Sequence, residues 1–290
     1  MTSLASGQRS VVGSGSWPAR CGGLLLSEWT KIRSVRSTIW TLIVFVPGMV
    51  ALSALGARVA AHRGPNPPPG RVRADPLSYI LGFPLAAGPL GSGLAAGPLA
   101  ICVLGVLVIT SEYSSGTIRA SILAAPRRNP ILAAKCAVFA ALVFVISEIV
   151  VFSAFFIGSA IVAGDHITLS LGQPNVIRAL IGSGLYLSVL GLFALAIGTM
   201  IRRTAGAIAA VIGLVLVISN LNVLPPDSWG GHLYAYLPTV AGMLITNDKP
   251  QAGALLSAWQ GIGVFCGWTA LLLAAGAWLL RRRDAHTGGR

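Results

Sequence analysis

Apolar residues run almost unbroken through six stretches of the chain, about 38–57, 90–110, 136–163, 177–200, 205–223 and 259–280. Each is close to the roughly 20 residues that a helix needs to cross a bilayer core. Arginine and lysine keep to the edges of these stretches, and one acid, Glu148 in "FVISEIVVF", stands well inside one. The pattern predicts an all-α, polytopic membrane protein with six transmembrane helices. A further apolar run, 77–90, is interrupted by Pro84 and Pro89. It is read as a lead-in or re-entrant piece before the second span rather than as a seventh span.

Two polar segments carry a helical pattern of their own. In "LLLSEWTKIRSVRS", residues 24–37, Leu25, Leu26, Trp29, Ile32 and Val35 recur at spacings of three and four, with Glu28, Lys31, Arg33 and Ser34 on the other side. This predicts an amphipathic helix along the membrane surface, with Trp29 at headgroup depth and Lys31, Arg33 and Arg36 reaching lipid phosphates. After the second span, residues 112–125 predict a short interfacial helix that presents Ile118, Ile122 and Leu123 near one face, starts at Glu112 and is stopped by Pro126 and Pro130. Arg127 and Arg128 mark its turn.

The connections separate by composition. "GPNPPPG", residues 64–70, predicts a stiff extended spacer. Arg202 and Arg203 leave room only for a tight hairpin between spans four and five. The segment 224–258 contains "WGGHLYAYLPTVAGMLI", whose Trp229, Tyr234 and Tyr236 suit a membrane interface, and a short re-entrant or surface helix is expected there. The division is then a disordered N-terminus over 1–23, the amphipathic helix over 24–37, a six-span domain over 38–283 and a tail over 284–290. No cleaved signal peptide is expected.

Of the 290 residues, 54% are hydrophobic and 10% charged. A soluble domain carries about 25% charged residues, so this surface is built for lipid. The net charge of +13 is a matter of topology. With the N-terminus inside, fifteen of the 21 basic residues fall on the cytoplasmic side, leaving Arg58, Arg63, Arg71, Arg73, Arg178 and Lys249 outside. Both termini are therefore placed in the cytoplasm, with no role for nucleic acid.

Catalytic signatures are missing from the sequence. A Walker A loop needs Gly-Lys-Ser/Thr, but Lys31, Lys135 and Lys249 follow Thr, Ala and Asp. The four histidines are scattered, the four cysteines show no metal-ligand spacing, and only 8 acids exist. No cofactor or metal is expected in this chain. Glycines do recur at helix-packing distances: Gly184, Gly191 and Gly198 one per heptad on the fourth span, and Gly263 with Gly267 as a GxxxG on the sixth. Their partners are left open between this chain and a second copy. Glu148 is expected to face the bundle or a wet cavity, either as a cation or proton contact or as a hydrogen-bonded structural carboxyl.

Three pieces, "SEWTKIRSVRSTIW", "SEYSSGTIRASILAAPRRNPILAAK" and "YLPTVAGMLI", resemble the permeases of the type 2 ABC (ATP-binding-cassette) transporter family, particularly small six-span bacterial permeases. The order Glu112, Gly116-Thr117, Pro126, Arg127-Arg128 and Lys135 follows the family's pattern around its coupling helix. The resemblance implies that 24–37 is the connecting helix and that 112–125 docks on a separate ATPase subunit, with Glu112, Gly116, Thr117, Arg119, Arg127 and Arg128 as coupling residues. It further implies a second permease chain, identical or paralogous, with ATP and Mg in the partner ATPase, and export as the direction. Two other classes stand against it: an ion-coupled secondary carrier that uses Glu148, and a membrane-embedded lipid-modifying enzyme. Neither accounts for the polar segment after span two.

Overall fold

A computed structural model describes residues 36–62, 76–85, 96–115, 128–164, 168–220, 229–249 and 254–285. Every regular element among them is helical: α1 (Arg36–His62), α2 (Pro76–Leu85), α3 (Ala96–Ser115), α4 (Arg128–Ala163), α5 (Val176–Ile201), α6 (Thr204–Asn220), α7 (Trp229–Ala235), α8 (Pro238–Met243), a 3₁₀ turn at Leu244–Thr246, and α9 (Ala258–Ala285). Six of these overlap the six apolar stretches. Four contain a segment long and apolar enough to cross a membrane: Phe45–His62, Leu132–Ala163, Val176–Ile201 and Ala258–Leu279. The apolar parts of α3 and α6, Gly97–Ser111 and Thr204–Val215, are shorter.

Helix α5 is the axis of the bundle. Buried positions make up 78% of its apolar span, against 33% for α4 and 22% for α9, so its neighbours enclose it while theirs stay open on one side. It packs against α3, α4, α6, α9 and the 3₁₀ turn, and α1 is held to α4 and α2 instead. The outward faces of α4, α6 and α9 carry large apolar side chains, with Val217, Trp259 and Leu271 about 60% exposed, which suits a lipid surround.

Glycine sets how close the helices come. A Cβ at Gly105 on α3 would stand 2.5 Å from the Gly191 carbonyl oxygen on α5, so the two backbones meet there without intervening side chains. Further along the same seam, Gly198 faces Ile109 and Val106, while Gly191 also receives Phe139 from α4. These pairings make α3 parallel to α5 and α4 antiparallel to it. On α9, Phe265 sits between Tyr186 and Phe193 of α5, with ring centroids 5.8 and 5.7 Å away, and Gly276 meets Thr199, so α9 also runs parallel to α5. Gly263 and Gly267 have open space around them and pack against nothing described.

Several boundaries differ from the sequence expectation. The 77–90 run contains the ten-residue α2, roughly 15 Å long and half a bilayer core, with Leu77, Ile80 and Leu81 buried. Pro130 does not stop a helix; it lies in the first turn of α4, where a missing N–H costs nothing. The single short helix expected in 224–258 is two, α7 and α8, with Pro238 opening the second. The amphipathic helix over 24–37 lies outside the described residues except for Arg36 and Ser37, which begin α1. The N-terminus over 1–23 and the tail beyond Ala285 lie outside them too.

Candidate functional site

Helix α3 does not end at Thr110. Its 20 residues run on to Ser115, stitched there by backbone bonds and by the buried Thr110 hydroxyl, which donates to Val106 O at 3.0 Å. Glu112 therefore lies in the last turns of α3 and not at the start of a following helix. Gly116, Thr117, Arg119 and Arg127 lie outside the described residues, as do Trp29, Lys31 and Arg33. Arg128 is the first residue of α4.

The same end of the bundle gathers the N-terminus of α4, the turn between α5 and α6, and the last turns of α9 with Arg281, Arg282 and Arg283. Lys135 is buried on α4 one turn into its apolar span. The α5–α6 turn consists of only Arg202 and Arg203. Arg202 has φ 61°, the left-handed conformation, and its N–H closes α5 by donating to Gly198 O at 3.1 Å. A residue with a Cβ pays roughly 1–2 kcal/mol for that conformation, and glycine is the usual occupant of such a helix end. The guanidinium of Arg202 lies over the ring of Tyr113, 5.3 Å from its centroid, joining the end of α3 to the α5–α6 turn. Arg202 Nε is buried and has no hydrogen-bond partner among the described residues. The sequence marks Arg202 as a hairpin residue and a cytoplasmic charge and does not single out Tyr113. The available signal is an aromatic at the end of one span and an arginine at a helix end, a position that glycine commonly fills.

At the opposite end of α5, Arg178 is fixed differently. Its Nη2 donates to the carbonyl oxygens of Asn247 at 2.8 Å and Asp248 at 3.3 Å, tying the end of the 3₁₀ turn to α5. Trp268 Nε1 donates to Tyr236 O at 3.1 Å and ties the α7–α8 corner to α9. Arg178 and Arg202 are 24 residues apart, roughly 36 Å along a helix, with no charge between them. That length covers a bilayer core of roughly 30 Å.

Glu148 sits midway along α4 against Gly184 of α5, its carboxylate in contact with the space a Cβ would fill. Both carboxylate oxygens are shielded from outside the chain and have no hydrogen-bond partner among the described residues. The carbonyl of Gly184 already accepts from the Ser188 hydroxyl at 2.9 Å. No group of three His, Cys, Asp or Glu side chains assembles among the described residues.

An α-helical bundle with outward apolar faces, polar groups collected at its two ends and, among the described residues, a single acid within defines a multi-pass membrane protein. A family model described as ABC-2 family transporter protein matches residues 28–285, nearly the whole chain, and the chain belongs to that family. It is thus the membrane component of an ABC transporter, a permease and not the catalytic part. No curated protein matches it.

Proposed function

We propose that this chain is a six-span permease subunit of an ABC exporter in a bacterial cytoplasmic membrane, with both termini in the cytoplasm. Two such permease chains, identical or paralogous, would work with a separate ATPase that binds ATP and Mg. The observation that carries this reading is where the segment 116–127 is inserted. It joins the C-terminus of α3 to the N-terminus of α4, at the end of the bundle that also collects Lys135, Arg202, Arg203 and the arginines of α9. That end is cytoplasmic by the positive-inside rule.

The arrangement offers a mechanical route. A force on 116–127 acts on two levers. One is α3, whose backbone touches α5 at Gly105 and Gly191; the other is α4, roughly 54 Å long and longer than the core it crosses. The alternation of directions, α4 against α3, α5 and α9, supports the six-pass plan.

The test is co-purification of the permease with its ATPase, followed by ATP turnover. A Glu112→Ala, Arg119→Ala double variant should insert and fold but lose ATPase binding or stimulated turnover. Wild-type binding and turnover in that variant would refute docking on this segment.

A further inference from the structure

We propose that Arg202 is a positioning residue of the transport cycle: through its contact with the Tyr113 ring it carries movement of the ATPase-docking segment from α3 to the α5–α6 hairpin. This rests on the docking reading above and adds to it a specific link inside the permease.

Three observations converge on Arg202. Its backbone is left-handed at a helix end, where glycine would be free of strain, so a side chain is kept at a conformational cost. The guanidinium lies on the face of Tyr113, an attractive cation–π arrangement that is stronger where water is excluded, and Nε is buried. Tyr113 itself is two residues from the described end of α3, at the junction with 116–127. Arg203, beside it in the turn, is exposed, and Glu112, Arg128, Lys135 and the arginines in the last turns of α9 stand at the same end of the bundle. Helix α6 begins immediately after the turn, with Ala207 N–H donating to Arg203 O at 2.9 Å, so a displacement of Arg202 moves the start of α6 without slack.

A side chain serving only to end α5 or to meet its dipole would be indifferent to Tyr113. Three variants separate the roles. Arg202→Gly relieves the left-handed strain and removes the contact. Tyr113→Leu leaves the arginine and its backbone in place and removes the ring. Tyr113→Phe keeps the ring face.

The experiment uses the permease–ATPase complex in nanodiscs, with the native cysteines replaced and spin labels at Ala133 and Ala205, both exposed. The distance distribution is read before and after addition of ATP with orthovanadate. Wild type and Tyr113→Phe should shift between two populations. Arg202→Gly and Tyr113→Leu should lose the shift by about 5- to 30-fold in population ratio, the equivalent of about 1–2 kcal/mol of desolvated cation–π energy at 1.4 kcal/mol per decade. Both should still co-purify with the ATPase.

A full shift in either variant overturns the proposal, as does no shift in the wild type. Failure of the docking reading looks different: the Glu112→Ala, Arg119→Ala variant would then keep both the ATPase and the wild-type shift, whatever the outcome at Arg202.

Discussion

Replacing Gly105 by alanine should wedge α3 off α5. The added Cβ would lie 2.5 Å from Gly191 O, 3.2 Å from Ala194 Cβ and 3.3 Å from Gly191 C, where ordinary contact begins at 3.4 Å. The nearest of these is backbone and cannot rotate away, so the helices must separate by about 0.9 Å at the crossing. A gap of roughly 0.5–1 Å forfeits a quarter to a half of the dispersion well for each atom pair that it opens. Overpacking of this kind costs about 1–3 kcal/mol. Alanine also favours the helix intrinsically, so the variant is compared with Gly267→Ala, which gains the same propensity in open space. Cys102, fully buried one turn before Gly105, supplies the reporter. In a background with Cys21, Cys136 and Cys266 changed to serine, maleimide labelling of Cys102 in mixed micelles follows the open population when reclosing is fast. Gly105→Ala should label about 5- to 140-fold faster than Gly267→Ala, the equivalent of that overpacking cost. Equal rates would refute the backbone-to-backbone crossing.

Other expectations follow from the same contacts. Glu148→Met should raise the melting temperature above both wild type and Glu148→Gln, because it removes a shielded polar group that has no partner among the described residues while keeping an unbranched side chain; a lower value for Met would reveal a hydrogen bond supplied from elsewhere. Arg178→Met should loosen the 3₁₀ turn by about 1.5–3 kcal/mol, the worth of hydrogen bonds from a charged donor, and so speed proteolysis near 247–257 without unfolding α5. Cysteines placed at Asn66 and Asn129 should be labelled from outside at 66 alone, and labelling at 129 alone would reverse the proposed orientation.

Helices over the six apolar stretches were legible because long uncharged runs favour them, although only four hold a segment long and apolar enough to cross a membrane. Their ends were less so. Thr110 reads as the close of a span because Ser111 and Glu112 are polar, yet a helix at a membrane surface loses nothing by continuing one more turn into water, and α3 does so. Pro130 reads as a stop because proline breaks helix interiors, whereas in a first turn it is neutral. The polar long-range contacts left no sequence mark. Nothing in "MIRRTAG", residues 200–206, tells that Arg202 turns back over Tyr113, because the contact depends on α3 and α5 running parallel. Arg178 was legible as an interfacial charge, while its bonds to Asn247 and Asp248 required knowing where the chain returns.

The glycines carry the clearest lesson about what spacing can and cannot say. Gly184, Gly191 and Gly198 recur once per heptad, which fits a seam, and the seam is real. It is shared, however: Gly184 takes Glu148 and Gly191 takes Phe139 from the antiparallel α4, while Gly191 and Gly198 take Ile101, Ile109 and Val106 from the parallel α3. One stripe serves two neighbours because Gly191 stands where they converge, and that is why α5 can be buried along most of its length. Gly263 and Gly267 form a tighter motif by sequence, yet meet nothing described. The distinction lies in their flanks. Helix α9 presents Trp259, Trp268 and Leu271 outward beside those glycines, whereas α5 surrounds its own with Leu187, Leu190 and Ala194, all buried. Small residues permit close approach, and the bulk around them decides whether this chain uses it.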